Sequence, residues 1–286
     1  GPGAMGCLFA ARLANQGMDV TLVDYKPERA EVLRETGVTI QAKEGAYHAR
    51  PRIALEAPSD ADLAIVFVKA YDTAGLRNLP RRAAVLTLQN GFGNVERLCT
   101  LVGSGNVCVG ITSEAATLEG VGRVRHAAAG QTVFGSWTSC PVKTAEEVLD
   151  KAGFAVQITD SPGQTLWEKV AISAAINPLT AILNVPNGDL LKINDIRQLM
   201  RDLVVEAVKV AATEGYRFQY SLVERAEEIC ETTKDNISSM LQDVRAAKRT
   251  EIDAITGEIL ERAQAAALPI PRSRVIYQLV KGLESR

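Results

Sequence analysis

The sequence predicts an α/β fold: a Rossmann-type, doubly wound parallel sheet over residues 1–160, followed by an all-α C-terminal domain over residues 161–286. Three observations carry this. Short apolar runs alternate with helical patterns through the first half. Gly1, Gly3 and Gly6 open the chain at G-x-G-x-x-G spacing and lead straight into a helical stretch. After Ser161-Pro162-Gly163 the strand signals stop and helical periodicity takes over.

Residues 7–16 are amphipathic and are closed by Gly17, a suitable C-cap. Residues 19–23 are β-rich and end on Asp24. Residues 38–42 and 47–54 read as paired strands around Glu44-Gly45. Residues 63–68 are apolar throughout, as a strand covered on both faces must be. Residues 85–88 and 107–111 repeat that signature, and 120–135 alternate like a hairpin. A helix over 143–152 and a strand over 154–159 finish the sheet domain. Helices are then predicted over 164–176, 195–214, 222–244 and 251–267. Thr250-Glu251-Ile252-Asp253 reads as the start of the last of these, with Asp253 at the capping-box position.

Composition excludes several classes. Hydrophobic residues make up 47% and charged residues 23%, the proportions of a soluble globular chain. The net charge is -2 and no basic stripe is visible, which argues against a nucleic-acid partner. No run reaches the roughly 20 apolar residues of a membrane helix. Five scattered cysteines without CxxC spacing suit a reducing cytoplasm. With two histidines and no HExxH, a metal site is not expected, and acid/base work falls to Lys, Asp or Glu.

The segment Gly1-Pro2-Gly3-Ala4-Met5-Gly6 has the spacing that lets a chain turn tightly, approach a pyrophosphate and pack helix on strand. A helix follows, then a strand ending in Asp24, at the separation of about 20 residues that dinucleotide sites use. Asp24 suits the ribose 2′-hydroxyl of NAD and would repel the 2′-phosphate of NADP. Its bland reading is a strand-end or capping residue. Lys26 and Arg29 lie close enough in sequence to offset the repulsion, so NAD and NADP both stay open. Lys69, after the 63–68 strand, is a further cation at the ligand edge of the sheet. Asn90, in Gln89-Asn90-Gly91, is either a turn residue or an amide for the nicotinamide ribose and substrate. The strand that ordinarily feeds such a glycine motif would lie before Gly1. Either the chain is trimmed at its start, the preferred expectation, or another segment fills that slot.

Lys169 stands in Trp167-Glu168-Lys169-Val170-Ala171-Ile172, otherwise the interior of a protein. Ser173 and Asn177 follow at i+4 and i+8, so a helix would place a cation, a hydroxyl and an amide on one face. The alternative is a structural ion pair with Glu168 or Glu251.

Together, Gly1 to Gly6, Val68-Lys69-Ala70, Gln89-Asn90-Gly91, Lys169 through Asn187-Gly188, residues 236–243 (Asn-Ile-Ser-Ser-Met-Leu-Gln-Asp) and residues 250–253 resemble the ketopantoate reductases, the 2-dehydropantoate 2-reductases. The resemblance spans nearly the whole chain. It implies NADPH-dependent reduction of 2-dehydropantoate to (R)-pantoate in pantothenate synthesis. It also implies that Lys169 is the catalytic acid, with Glu251 close to the reacting centre. By the same resemblance Asn90, Asn177, Asn187 and the block from Asn236 to Ser239 face the substrate, and Lys69, Ala116 and Glu251 the cofactor; Ser173 joins the substrate candidates through its place one turn after Lys169. Two departures stand out. Ser173 occupies a position where the family often has Asn, and Asp24-Tyr25-Lys26 stands where NADPH-specific members place an Arg. Rival readings are a related 2-keto acid or 3-hydroxyacid dehydrogenase, and a dinucleotide-binding protein without turnover. An apolar stripe on 222–244 would suit either burial or a homodimer.

Overall fold

The computed structural model describes residues 1–285. The chain forms two compact units. The first holds residues 1–89 and 94–165; the second holds residues 90–93 and the chain from Leu166 onward.

In the first unit the order is α1 (Ala4–Asn15), β1 (Thr21–Val23), α2 (Pro27–Thr36), β2 (Val38–Ala42), β3 (Gly45–Ala49), β4 (Arg52–Ala54), β5 (Leu63–Val66) and β6 (Ala84–Thr87). Then come α3 (Asn94–Val102), β7 (Val107–Thr112), β8 (Ala115–Gly120), β9 (Arg123–Ala128), β10 (Gln131–Ser136), α4 (Lys143–Lys151) and β11 (Ala155–Ile158). One sheet runs β11-β10-β7-β6-β5, a second β3-β2-β9-β8, and β1 pairs with β4. Strands β5, β6 and β7 are parallel. In β6 and β7, Val85, Leu86, Val107 and Cys108 are all buried, although neighbours on a strand point to opposite faces; that is why these two strands are apolar without alternation, whereas in β5 only Val66 is buried and the expected cover on both faces is not found. No described strand pairs β1 with β5, so no described segment takes the slot that the glycine motif left open.

Helix α1 is covered on two sides. Cys7, Leu8 and Ala11 join a core with Leu33, Ile40 and Val124. Phe9 and Leu13 join another with Leu86, Phe134 and Leu149. The Phe9 ring stacks on Phe154 with centroids 4.1 Å apart. The helix behind the glycine loop is therefore fixed by packing from both sides.

Two expected strand pairings change. The 47–54 run breaks at Arg50-Pro51: β3 returns antiparallel to β2, while β4 joins β1 in parallel. Proline has no N–H to continue a ladder, so the run splits there. The 120–135 hairpin is instead made by β8 and β9, turning at Val121-Gly122. Gly122 has φ +68 and packs on the Gly37 carbonyl, where a Cβ would lie 2.5 Å away. Strand β10 leaves that hairpin for the other sheet.

The second unit is helical. Helix α5 (Pro162–Leu183) carries the chain into it, followed by α6 (Asn194–Thr213), α7 (Leu222–Thr232), α8 (Ser239–Arg245), a π-turn at Asp253–Gly257, α9 (Glu258–Ala265) and α10 (Pro271–Glu284). Helix α5 runs on through Pro178 rather than ending near residue 176. The single helix expected over 222–244 is two helices. Between them the carbonyls of Lys234 and Asn236 accept from the N–H groups of Gly188 and Asn187, both at 3.0 Å. Ser238 then caps α8 by accepting from Leu241 N–H at 3.1 Å. Tertiary bonds thus override helical periodicity. Asp253 does not close a capping box. Its place is taken by Glu284 of α10, a helix absent from the sequence expectations, which accepts from Thr250 N–H at 2.7 Å. Among the described residues no helix is long and apolar enough to cross a membrane.

The start of α10 is tied to α6. Buried Glu206 accepts from Ser273 N–H at 2.8 Å, Ser273 Oγ at 2.7 Å and Arg272 N–H at 3.1 Å. It satisfies donors that a helix N-terminus otherwise leaves open. Glu206→Ala is expected to lower unfolding stability by about 2 kcal/mol, because it strands buried donors. Denaturant midpoints of the two proteins check this.

Candidate active site

In the first unit the glycine loop is shaped for close approach. A Cβ on Gly6 would lie 2.0 Å from the Gly1 carbonyl oxygen, so only glycine fits. A Cβ on Gly3 would meet nothing within 4 Å, so its outer side is open. Gly3 is the N-cap of α1 and makes no side-chain cap bond. The first-turn N–H groups and the positive end of the helix dipole therefore remain available to an anion. Open space at Gly3, a locked turn at Gly6 and an uncapped helix start fit a dinucleotide pyrophosphate.

Gly1 packs against Val68, whose neighbour Lys69 caps a 3₁₀ turn at Ala70–Gly75. That junction is braced by Gln89, which the sequence marks only as part of the Gln89-Asn90-Gly91 segment, with no role of its own. Its Nε2 donates to the Val68 carbonyl at 2.8 Å and to Thr73 Oγ1 at 2.7 Å. Ala116 lies on β8, packed on the core beneath α1.

Asp24 is fully buried, and both its oxygens are engaged. Arg29 Nη2 donates to Oδ1 at 2.6 Å, Arg29 Nε donates to Oδ2, and Lys26 N–H donates to Oδ1 at 3.1 Å. The Arg29 side chain keeps 30% of its surface exposed. The accessible charge at the end of β1 is thus a guanidinium. The paired carboxylate raises the Arg29 pKa.

In the second unit, Lys169, Ser173 and Asn177 form a single stripe on α5. From Lys169 to Ala181 every other residue is buried, and these three are half-buried. One hydrophobic helix thereby presents one polar seam. Loss of solvation lowers the Lys169 pKa from its ordinary 10.5 to about 8, and the Glu251 carboxylate pulls it back upward. Glu251 is 6% exposed. Asn90 Nδ2 donates to its Oε2 at 3.3 Å. Glu168 is engaged elsewhere, accepting from the Tyr220 hydroxyl. Of the two carboxylates considered as partners for Lys169, Glu251 is the one that acts on it.

Asn90 is held by its loop. Phe92 N–H donates to the Ala254 carbonyl at 2.8 Å, and Phe92 packs on Trp167 with centroids 4.6 Å apart. Gly91 between them has φ +82. Trp167 is a core residue whose Nε1 donates to Glu214 at 3.1 Å.

Asn187 is buried, and its Nδ2 donates to Thr233 Oγ1 at 2.9 Å, while its Oδ1 is left without a partner. Asn236 lies in the connection between α7 and α8, not on a helix with Ser239 as the spacing suggested. Ser239 is the exposed first residue of α8. Behind it, Thr180 Oγ1 donates to Ser238 Oγ at 2.7 Å and ties α8 to α5. His126 is a strand residue paired with Glu114 at 2.5 Å. Cys7 is a buried packing residue whose thiol burial pushes up to about 12.

Residues 1–139 match the family described as ketopantoate reductase PanE/ApbA, and residues 163–284 match its C-terminal part. The chain is 36% identical to a 2-dehydropantoate 2-reductase of Halobacterium salinarum, over 98% of this chain and 96% of that one. It is 33% identical to one of Pyrococcus horikoshii, over 100% and 96%. Among solved structures, a PanE/ApbA family ketopantoate reductase from Ralstonia eutropha superposes with a TM-score of 0.89 at 30% identity, covering 99% of this chain and 96% of that one. A D-mandelate dehydrogenase with NADH and anilino(oxo)acetate superposes with a TM-score of 0.93 at 26% identity, covering 100% and 97%.

Gly91→Ala would place a Cβ 2.4 Å from the Ala254 oxygen at a φ that L-residues resist. The expected cost is about 2 kcal/mol or more. Hydrogen exchange at the Phe92 amide should accelerate, while amides in β5 to β7 keep their protection.

Proposed function

The chain belongs to the ketopantoate reductase family, and on that premise we propose that it reduces 2-dehydropantoate to (R)-pantoate with a reduced nicotinamide dinucleotide, a step of pantothenate synthesis. The observation that carries this reading is Lys169: a desolvated ammonium with pKa near 8, at the head of a polar seam and under the influence of Glu251.

Reduction of a 2-keto acid creates an alkoxide at C2 that needs a proton as it forms. The reduced nicotinamide, when bound, supplies the hydride. Lys169 Nζ gives the proton to the C2 oxygen, and its lowered pKa brings the donor close to working pH. Glu251 opposes the desolvation and so keeps the ammonium charged below about pH 8. As pH rises through that value the donor is lost and reduction slows. Ser173 and Asn177, on the same seam, suit the substrate's hydroxyl. Ser239 suits its carboxylate as a donor, and the unpartnered Oδ1 of Asn187 suits its hydroxyl as an acceptor. The buried residues around the seam keep water away from the forming alkoxide.

For the cofactor, the buried Asp24 is committed to Arg29, and what remains accessible is the guanidinium. A cation there favours a 2′-phosphate, so NADPH is the preferred donor. Lys26 and Lys69 add charge of the same sign. A second reading, reduction of a 2-keto acid with another side chain, has one observation in its favour. Ser173 is shorter than the Asn frequent at that place in the family, which leaves room on the seam.

A spectrophotometric assay of 2-dehydropantoate with NADPH and NADH in parallel tests the proposal. Turnover with preference for NADPH is expected. Lys169→Ala should lower kcat by about 10²-fold or more, as loss of a general acid does. Near-normal turnover in that variant would remove Lys169 from the mechanism. Arg29→Ala should raise KM for NADPH and leave KM for NADH nearly unchanged.

A further inference from the structure

Helix α10 lies outside the residues assigned to the reaction, yet it grips the segment carrying Glu251 from both sides. Tyr277, Lys281 and Glu284 stand at i, i+4 and i+7, one face of the helix. On the near side of Glu251, Glu284 Oε1 accepts from both the N–H and the Oγ1 of Thr250, each at 2.7 Å. Thr250 is fully buried, and its Oγ1 in turn accepts from Ile252 N–H at 3.2 Å. On the far side, the Tyr277 hydroxyl donates to Asp253 Oδ1 at 2.8 Å. Lys281 Nζ reaches Asp253 Oδ2 at 3.3 Å and Glu284 Oε2 at 2.8 Å. Arg249 adds a bond to Asp253 Oδ2 at 2.9 Å. Residues 250, 252 and 253 are thereby fixed, and Glu251 lies between them.

The other end of α10 is fixed as well, by Glu206 at Arg272 and Ser273. The helix is a strut with both ends bonded. One residue beyond Glu251, after Ile252, the backbone takes a π-turn, Asp253–Gly257, a geometry less stable than the α-helix and needing support from its surroundings. The Asp253 bonds to α10 supply that support at its first residue.

We infer that the Tyr277, Lys281 and Glu284 face of α10 is a positioning element for Glu251, with Glu284 acting through Thr250. The inference rests on the reading of Glu251 as the carboxylate that acts on Lys169. Glu284 touches neither the reacting atoms nor Lys169 in this role; it sets where the Glu251 carboxylate stands. If Glu251 drifts, its upward pull on Lys169 weakens while desolvation persists. The Lys169 ammonium then loses its proton at a lower pH.

The test measures Lys169 directly, without substrate or cofactor. Competitive labelling of the full chain with acetic anhydride across pH, read by mass spectrometry on the Lys169 peptide, gives the pKa of that amine. Glu251→Gln sets the full size of the effect. Thr250→Val and Glu284→Ala are expected to lower the Lys169 pKa by about half a unit or more. Thr250→Ser restores the hydroxyl, and Glu284→Gln keeps an acceptor for Thr250 while removing the charge; both should stay close to the parent. No movement in Thr250→Val overturns the inference. So does a fall in Glu284→Gln as large as that in Glu284→Ala, which would mark a charge effect rather than positioning. If circular dichroism shows Glu284→Ala unfolded, the Thr250→Val and Thr250→Ser pair decides alone. Because no substrate is used, failure here is distinct from failure of the proposed reaction, which the 2-dehydropantoate assay reads.

Discussion

The second unit is arranged around the opposition between burial and Glu251 at Lys169. Burial drives the ammonium toward neutrality, and the carboxylate holds it charged. Either influence alone would make a poor proton donor: an exposed lysine gives up its proton reluctantly near neutral pH, and a buried, unpaired one arrives already deprotonated. The balance needs a helix hydrophobic enough to desolvate one seam residue and a carboxylate fixed nearby. Helix α5 meets the first need with buried residues at every position between its three seam groups. The second falls to a short segment before a π-turn, steadied by bonds from elsewhere in the chain.

The glycine loop solves a different problem by related means. Gly6 is tight against the Gly1 carbonyl, Gly3 is open, and α1 is covered on both sides. An uncapped helix start keeps its N–H groups for a ligand when its own side chains cannot take them. Asp24 and Arg29 show how a pair can change the reading of a motif. A carboxylate at the end of the second strand ordinarily suggests a ribose hydroxyl. Once it is buried and doubly bonded to an arginine, the charge left at the surface has the opposite sign.

Features set by neighbours in sequence were legible. The G-x-G-x-x-G turn, the apolar strands 63–68 and 85–88, and the spacing of Lys169, Ser173 and Asn177 all follow from local periodicity. Features set by distant bonds were not. The 222–244 pattern is helical throughout, but Asn187 and Gly188 draw on the carbonyls of Asn236 and Lys234 and break it in two. The 47–54 run looked continuous, and the strand partners on either side of Pro51 separated it. Thr250 to Asp253 was recognisable as a helix start, yet its cap came from Glu284, more than thirty positions on. Arg29 is legible in the sequence as a charge beside Asp24, while its bidentate grip is a matter of side-chain geometry that spacing does not encode.

On the proposed mechanism Lys169 donates the proton, and its pKa near 8 is what fits it to do so. The most direct measurement is the pH dependence of kcat for reduction of 2-dehydropantoate, followed from about pH 6 to about pH 10. A plateau at low pH and a fall above about 8 are expected, approaching tenfold for each further pH unit, with that limb absent from the residual activity of Lys169→Ala. A rate that stays level to about pH 10 in the parent, or the same falling limb in the Lys169→Ala protein, would rule out Lys169 as the donor.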